Sequence, residues 1–388
     1  MKVLHVIPTL AKEKGGPTQI TLEMIRALRE TGVEAEIVTT NDNGTDLLDV
    51  PLGECIEYEQ VPVWFLPRFC LPLKEFIFSP ALTRWLWQNL SNYQLIHTHY
   101  LFSYAPTCAA AIARWQQTPY IVTPYGMLTH WALNHQRTKK RFYSVIERYN
   151  FNHAIAAHCA TSEESADVQN FQVPTPTFVV PYGVNLPTIK PHAAEILREK
   201  YQLEPGIPII LFFSRLHTKK RPDLLIEAVS KLKSKFNFHV LIAGSGEADY
   251  EDYLDNLVDK LNLNTHITFT GFITGKDKDI LLQGSDLFVL PSFSENFGIA
   301  VVEAMAAKLP VVITDEIQIA ADIQTGKGGI VINSNLDSLT EALTTLLDFP
   351  NLRKQLGNNG FELVKRQYTW QAIAQQMNNF YEQSITSN

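Results

Sequence analysis

The residues best suited to chemistry lie in the stretch SENFGIAVVEAMAAKLPVV, residues 294–312. Glu295 follows the apolar run DLFVLPS, and Glu303 lies eight positions further on, inside a predicted helix. Between them, Gly298 lets a backbone approach a ligand closely. The free N–H groups at such a helix start attract anions such as phosphate. An ordinary helix start with acidic residues nearby would give the same pattern, so the spacing alone leaves both interpretations open.

A second candidate is the stretch SRLHTKKRPD, residues 214–223, in which Arg215 ends a predicted strand and Lys220 follows in a loop. Two fixed cations aimed at one point would stabilise the charge that develops on a departing diphosphate. Hydrated surface side chains are the other interpretation. Pro222 and Asp223 mark the start of the next helix.

Two weaker signals lie in the first half of the chain. The stretch KEKGGPTQ, with Gly16, is a weak phosphate-loop signal and suits a plain tight turn equally well. It contains neither GxGxxG nor GxxxxGK[ST], so no dinucleotide or Walker fingerprint is present. In TPYGML, Tyr125 and Gly126 sit at a strand end, where a buried aromatic residue at a turn is the plain interpretation.

The stretch IHTHY places His97 and His99 two positions apart, and therefore on the same face of a strand. Such a pair could bind a metal ion, but the sequence shows no third ligand. We therefore expect structural histidines and no metal site.

These residues are distributed over a regular alternation of strands and helices, which predicts parallel βαβ units. Residues 51–80 are rich in Pro and aromatic side chains and predict an irregular connection or lid. The pattern restarts after residues 183–200 with the strand IPIILFFSRL. We therefore predict an α/β fold with two Rossmann-like domains, residues 1–187 and 188–368, followed by a final helix within 369–388.

Composition restricts the function further. The chain has 388 residues, 45% of them hydrophobic, and a net charge of −7, which argues against a nucleic-acid partner. No apolar run reaches the 18 residues of a membrane-spanning helix, and the four cysteines lack metal-ligand spacing. These features predict a cytoplasmic protein with reduced thiols. The basic and aromatic stretch 137–149 suits either a solvated helix face or contact with an anionic membrane surface.

Taken together, these stretches resemble one family. SENFGIAVVEAMAAKLPVV is similar to the E-x7-E signature of the retaining nucleotide-sugar glycosyltransferases that include glycogen and sucrose synthases and bacterial mannosyltransferases. SRLHTKK, KGGPTQITLEMIRAL and TPYGMLTHWAL resemble further segments of that family, in the same order along nearly the whole chain. The resemblance implies a GT-B fold, with two Rossmann-like domains facing across a cleft and the last helix returning to the N-terminal domain.

The resemblance also implies roles for individual residues. Arg215 and Lys220 would hold the donor diphosphate, Glu295 the sugar hydroxyls and Glu303 the ribose. The remaining implied positions are backbone groups near sugar and phosphates (Asn296, Phe297, Gly298, Gly16), the border of the base (Phe272, Ile273), and the sugar or acceptor side (His99, Tyr125, Gly126). The implied activity is metal-independent, retaining transfer of a hexosyl group from a nucleoside diphosphate sugar, without a further cofactor. The acceptor would be a saccharide or a lipid-linked hydroxyl in polysaccharide or glycolipid assembly.

The chain departs from the family pattern at several positions. Tyr125 stands where many relatives have His, Ser214 replaces the Gly before Arg215, and Arg221 replaces the Gly after Lys220. The last change predicts an additional positive charge beside the diphosphate. TDEIQIAADI replaces the usual Gly-Gly-x-x-Glu run, so this region does not identify the acceptor.

Other functions remain compatible with the same scaffold. A nucleotide-sugar epimerase would act without an acceptor, a phosphorylase would require inorganic phosphate, and a non-catalytic partner subunit would bind nucleotide only. A dinucleotide-dependent oxidoreductase is disfavoured because GxGxxG is missing.

Overall fold

A computed structural model describes residues 1–11, 16–69, 77–129, 132–133 and 137–386, and for residues 137–142 and 386 the backbone alone. The chain forms two compact units. The first comprises Met1–Gly183 together with Trp370–Asn388, and the second comprises Val184–Thr369. The chain therefore leaves the first unit, builds the second and returns.

The first unit contains ten described strands. They are β1 (Lys2–Thr9), β2 (Glu34–Thr40), β3 (Asp42–Asn43), β4 (Asp46–Leu47), β5 (Cys55–Tyr58), β6 (Val61–Leu66), β7 (Leu95–His99), β8 (Tyr120–Thr123), β9 (Ala156–Cys159) and β10 (Thr177–Val179). Eight of them form one sheet in the order β10-β9-β8-β7-β1-β2-β6-β5, and β3 pairs with β4. Every pairing in the large sheet is parallel except that of β5 with β6. Buried apolar runs such as KVLHVIPT suit a parallel sheet covered on both faces.

The described helices of the first unit are α1 (Gly16–Glu30), α2 (Pro80–Asn89), α3 (Tyr104–Trp115), α4 (Arg137–His153), α5 (Ser162–Asn170) and, at the end of the chain, α14 (Trp370–Thr386). Helix α1 buries Ile20, Met24 and Leu28, the apolar face expected from its 3.6-residue period. Helix α14 packs against α1. Its Trp370 lies so close to Gly183 that a Cβ there would meet the indole ring at 2.5 Å.

The prediction for residues 51–80 was wrong in part. The segment contains β5 and β6, an antiparallel hairpin that ends the large sheet. Val61, Val63 and Phe65 alternate with less buried neighbours and are themselves fully buried, so period-2 patterning was present but was obscured by Pro62 and the aromatic side chains. Residues 70–76 lie outside the described residues.

The second unit is a six-stranded, fully parallel sheet in the order β13-β12-β11-β14-β15-β16. Its strands are β11 (Ile209–Phe213), β12 (His239–Ala243), β13 (Ile267–Gly271), β14 (Leu287–Leu290), β15 (Val311–Thr314) and β16 (Gly329–Ile332). Its helices are α6 (Ala193–Lys200), α7 (Pro222–Ser230), α8 (Ala248–Lys260), α9 (Gly275–Gly284), α10 (Ile299–Ala306), α11 (Ala320–Gly326), α12 (Leu336–Asp348) and α13 (Pro350–Gln367). The predicted α/β class is confirmed in both units.

Within the described residues, no helix is both long enough and apolar enough to cross a membrane. Cys55 is exposed and Cys159 is buried, and neither forms a disulfide.

Candidate functional site

The site in the second unit lies where the order of its strands reverses. Strands β11 and β14 are neighbours in the sheet although two strands separate them in sequence. Arg215 follows the carboxyl end of β11, and Glu295 follows the carboxyl end of β14. Parallel α/β sheets bind ligands in the crevice at such a reversal point.

Lys220 and Glu295 are in direct contact. The Lys220 ammonium donates a hydrogen bond to Glu295 Oε1, and the Ser292 hydroxyl donates to the same oxygen at 3.0 Å. The side chains of Lys220 and Glu295 are only 17% and 11% exposed. The Phe293 N–H donates to the Lys219 carbonyl at 2.9 Å, which joins the two loops. Two residues selected from separate stretches therefore meet at one point.

Positive charge accumulates around this contact. Burial lowers the pKa of His217, and the neighbouring Arg215 lowers it further. Burial also lowers the pKa of Lys219. Glu295 opposes this decrease in pKa, whereas Lys220 and Arg215 add to it. Mutual repulsion among cations is relieved when an anion binds between them. The loop after β11 is therefore suited to a polyanionic ligand.

The helix start next to Glu295 has the geometry expected of an anion site. Gly298 is the N-cap of α10 with φ +79°, and no side chain of the described residues caps the helix. A Cβ at Gly298 would meet Ile317 Cγ2 at 3.3 Å, so the position favours glycine sterically and conformationally. The buried Asn296 Oδ1 has no hydrogen-bond partner among the residues that the structure describes. Phe297 packs edge-on against Tyr368 at 5.7 Å between ring centroids, so only its backbone can face a ligand.

Three further predicted positions lie just before α9 or on α10. Phe272 is 72% exposed directly after β13, whereas Ile273 is buried. An exposed aromatic ring at a strand end can cover the flat face of a base. Glu303 lies on α10, and its Oε1 accepts a hydrogen bond from Lys278 Nζ on α9 at 2.9 Å.

In the first unit the structure brings together three of the four predicted positions. His99 Nδ1 and the Tyr125 hydroxyl are 3.1 Å apart, and the same hydroxyl is 2.9 Å from Thr21 Oγ1 on α1. The Gly126 N–H donates to Glu164 Oε1 at 2.6 Å. Tyr125 has φ +51°, a left-handed conformation unusual for an aromatic residue and typical of functional sites.

The remaining predicted position, Gly16, is the first residue of α1. The preceding residues 12–15, which carry the rest of that glycine stretch, lie outside the described residues.

Two family models match the chain. "Glycosyl transferase 4-like domain" matches residues 15–183, and "Glycosyl transferases group 1" matches residues 193–363, so together they cover most of it. Both halves of the chain therefore match glycosyltransferase models, the second half that of group 1.

Individual relatives agree with this assignment. The glycosyltransferase is 24% identical to D-inositol 3-phosphate glycosyltransferase of Corynebacterium efficiens, over 97% of this chain and 92% of that protein. It is 35% identical to an uncharacterized glycosyltransferase of Methanocaldococcus jannaschii, but that match spans 45% of this chain and 44% of that protein. Among solved structures, Anabaena HepE in complex with UDP and glucose superposes with a TM-score of 0.81 at 18% identity, over 99% and 100% of the two chains. This last likeness establishes a GT-B fold.

Sequence reasoning missed a third histidine. His5 is paired in register with His97 across β1 and β7, and its Nδ1 is 2.9 Å from His99 Nε2. His5, His97 and His99 are buried, with one ring nitrogen of each within 4.8 Å of the others. The expectation that no third nitrogen ligand accompanies the pair was therefore wrong. The signal was the single His in the first strand, whose partner depends on strand order.

Five of the six ring nitrogens of this cluster contact one another or hydroxyls, and His5 Nε2 is buried without a hydrogen-bond partner among the described residues. His97 Nδ1 is 2.5 Å from the Tyr381 hydroxyl, and His97 Nε2 is 2.6 Å from Thr123 Oγ1. The pKa values of His97 and His99 lie well below the usual value, mainly because the rings are buried and also because neighbouring histidines disfavour a further positive charge. The described cluster contains no carboxylate, and apart from His5 Nε2 its ring nitrogens form a neutral hydrogen-bonded network.

Arg221, which was predicted to add a positive charge beside the diphosphate, lies next to a carboxylate and an aromatic ring. Arg221 has φ +58°, its Nε lies 3.5 Å from Asp223 Oδ2, and its guanidinium lies 4.5 Å from the centre of the Phe293 ring. Its charge is therefore partly balanced by Asp223. The extra cation that shares the field of Lys220 and Arg215 is Lys219, which the sequence did not single out.

Two glycines of the loop after β12 were also missed. A Cβ at Gly244 would lie 1.9 Å from the Ser214 carbonyl oxygen, and one at Gly246 would lie 2.2 Å from the Leu216 carbonyl oxygen. The loop therefore packs directly on the backbone that carries Arg215. The sequence GSG at a strand end was the available signal, but it indicated only a turn.

Proposed function

We propose that this glycosyltransferase transfers a hexosyl group from a nucleoside diphosphate sugar to a hydroxyl, with retention of configuration and without a metal ion. One observation carries the proposal. Lys219 interacts electrostatically with Lys220, Arg215 and Glu295, and Lys220 also contacts Glu295 directly. Glu295 lies three residues before Gly298, where α10 starts without a capping side chain among the described residues. Fixed cations and helix N–H groups together suit a diphosphate.

In the proposed reaction, the bond between the anomeric carbon and the β-phosphate oxygen breaks, and the acceptor oxygen bonds to the same carbon. The acceptor proton leaves with a phosphate oxygen. Arg215 and Lys220 stabilise the negative charge on the departing diphosphate, as a divalent cation does in other enzymes. Glu295, held by Lys220 and Ser292, is positioned to accept hydrogen bonds from sugar hydroxyls. Glu303 binds the ribose.

The solved structure of HepE with UDP and glucose supports a nucleotide-sugar donor, since that protein shares the fold. The decisive experiment is a thermal-shift screen of UDP-, GDP- and ADP-sugars, because a ligand that binds only the native state raises its stability. The donor so identified is then used in turnover assays with simple sugar acceptors, and NMR of the product reports the anomeric configuration. Stabilisation by no donor would overturn the proposal.

Controls separate the alternatives. Sugar interconversion without an acceptor would indicate an epimerase, and strict dependence on inorganic phosphate would indicate a phosphorylase. Donor binding with no turnover on any acceptor would indicate a partner subunit. Activity should survive EDTA, whereas loss that added magnesium or manganese restores would contradict the metal-independent mechanism.

For the acceptor we propose a lipid-linked hydroxyl, used at the inner face of the cell membrane. The first unit carries a strip of exposed aromatic side chains, Trp87, Trp115 and Tyr149, here called the aromatic strip. The rings of Trp87 and Trp115 are 6.1 Å apart, and the Arg114 guanidinium lies 4.7 Å over the Tyr149 ring. Exposed Trp and Tyr beside cations are typical of membrane interfaces. The aromatic strip extends the candidate surface formed by residues 137–149. For residues 137–142 of that surface, the structure describes the backbone alone.

Flotation with vesicles tests this surface. Binding to vesicles of anionic phosphatidylglycerol, but not to phosphatidylcholine alone, is expected for the unchanged protein. Trp115→Ser should reduce binding, because Trp115 is 76% exposed and contributes most apolar area. The control is Phe349→Ser, which replaces another exposed aromatic side chain, in the second unit. Equal binding to both lipids would contradict the proposal.

A further inference from the structure

Lys278 was not selected by any motif, yet among the described residues it is the one hydrogen-bond partner of the side chain of Glu303, which is proposed to bind the nucleotide. Its Nζ lies 2.9 Å from Glu303 Oε1, with the two side chains 31% and 25% exposed. Among the described residues, Glu303 Oε1 has this one hydrogen bond and Oε2 has none. The carboxylate therefore has one oxygen held and one oxygen available.

The placement of Lys278 connects two parts of the proposed nucleotide site. Lys278 lies in the first turns of α9, which begins at Gly275, two residues after Ile273. Glu303 lies on α10, which follows the helix start at Gly298. The ion pair thus joins the segment proposed to border the base to the helix proposed to bind phosphate and ribose.

We propose that Lys278 is a positioning residue that sets the preference of this site for ribose. By holding Oε1, it restricts the rotation of the Glu303 carboxylate and directs Oε2 toward the ribose hydroxyls. A charged acceptor that is oriented in advance forms a stronger hydrogen bond than one that must first be ordered. The inference rests on the proposed role of Glu303, and it is not a claim that Lys278 touches the nucleotide.

Other roles for Lys278 predict different behaviour. If the ammonium only attracted phosphate by charge, its removal would lower the affinities for ribonucleotides and deoxyribonucleotides by the same factor. If it only joined α9 to α10, its removal would lower thermal stability without altering the ratio of the two affinities. The ratio is therefore the informative quantity.

The experiment measures calorimetric affinities of the full-length protein for UDP, GDP and ADP and for their 2′-deoxy and 3′-deoxy forms. A hydrogen bond to a charged group contributes about 1.5–3 kcal/mol, so the unchanged protein should prefer the ribonucleotide by about tenfold or more. Lys278→Met should reduce that preference to about twofold. Lys278→Arg should restore most of it, because the guanidinium can hold the same carboxylate oxygen.

Two controls make the result interpretable. Lys276→Met removes an equal charge from an exposed position on the same helix and should leave the ratio unchanged. Glu303→Gln should reduce the ratio by itself, and adding Lys278→Met to it should produce little further loss.

The outcomes distinguish the two proposals. Absence of binding by every nucleoside diphosphate would overturn the proposed function. Binding by the unchanged protein without ribose preference would overturn the role of Glu303, and with it that of Lys278. A preference that persists in Lys278→Met would overturn the Lys278 proposal alone.

Discussion

Replacement of Lys220 by Met tests the proposed diphosphate site through activity and stability at once. The side chains of Lys220 and Glu295 are largely buried. Among the described residues, the substitution leaves the Ser292 hydroxyl as the hydrogen-bond donor to the Glu295 carboxylate and Lys219 as a nearby cation. Removing one partner of a fully buried pair costs about 3–5 kcal/mol, whereas an exposed pair contributes about 0–1 kcal/mol. For this partly exposed pair we expect a loss of about 2 kcal/mol.

The expected loss converts to a measurable shift. In a protein unit of this size, about 1 kcal/mol corresponds to about 2–4 °C, so Lys220→Met should lower the Tm by about 4–8 °C. Turnover with the donor found in the thermal-shift screen should fall by about 10²–10³, the cost of losing one preorganised charge. Differential scanning calorimetry would measure the Tm, and steady-state kinetics on the same preparation would measure the turnover.

Two companion variants separate the effects. Arg215 is exposed and forms no ion pair with a described residue, so Arg215→Met should lower turnover similarly while changing stability by less than about 0.5 kcal/mol. The double variant Lys220→Met with Glu295→Gln should regain stability, because no unpaired carboxylate remains, but not activity. Near-wild-type turnover in Lys220→Met or Arg215→Met would refute the reasoning.

Three further predictions follow from other parts of the fold. Gly298→Ala should lose about 1–2 kcal/mol in urea denaturation, because the position has φ +79°; an unchanged midpoint would contradict this. His97→Phe removes the partner of the buried Tyr381 hydroxyl and should cost about 1–3 kcal/mol, and adding Tyr381→Phe should recover part of that loss. Burial lowers the pKa of His5 to about 3 and that of His158 to about 4. Because the unfolded chain takes up these protons near pH 6.5, stability should be complete above that pH and decline toward pH 4, by up to about 1.4 kcal/mol per unit per histidine; urea melts at pH 7 and 5 measure the decline.

The sequence was sufficient to predict the α/β class, because apolar runs and helical periods are local properties. It also selected Lys220 and Glu295, which the structure brings into contact, although their roles stay predictions. That contact depends on β11 and β14 being neighbours, and strand order cannot be derived from patterning in one sequence.

The features that were missed depend on contacts between distant segments. His5 joins His97 because two strands far apart in the chain pair in register. Lys278 reaches Glu303 between two helices, and each looks like an ordinary surface charge in the sequence. Gly244 is required by the carbonyl of Ser214, the residue after the neighbouring strand β11, which no local rule reveals. The hairpin β5–β6 was missed because Pro62 concealed a short alternating pattern.

The return of the last helix to the first unit has a consequence for biosynthesis. The contact between His97 and Tyr381 spans 284 residues, and the whole second unit is translated in between. On the ribosome, the second unit can therefore fold while the surface that receives α14 is still uncovered. Nascent chains that stall before Trp370 would expose apolar side chains of α1 and invite chaperone binding.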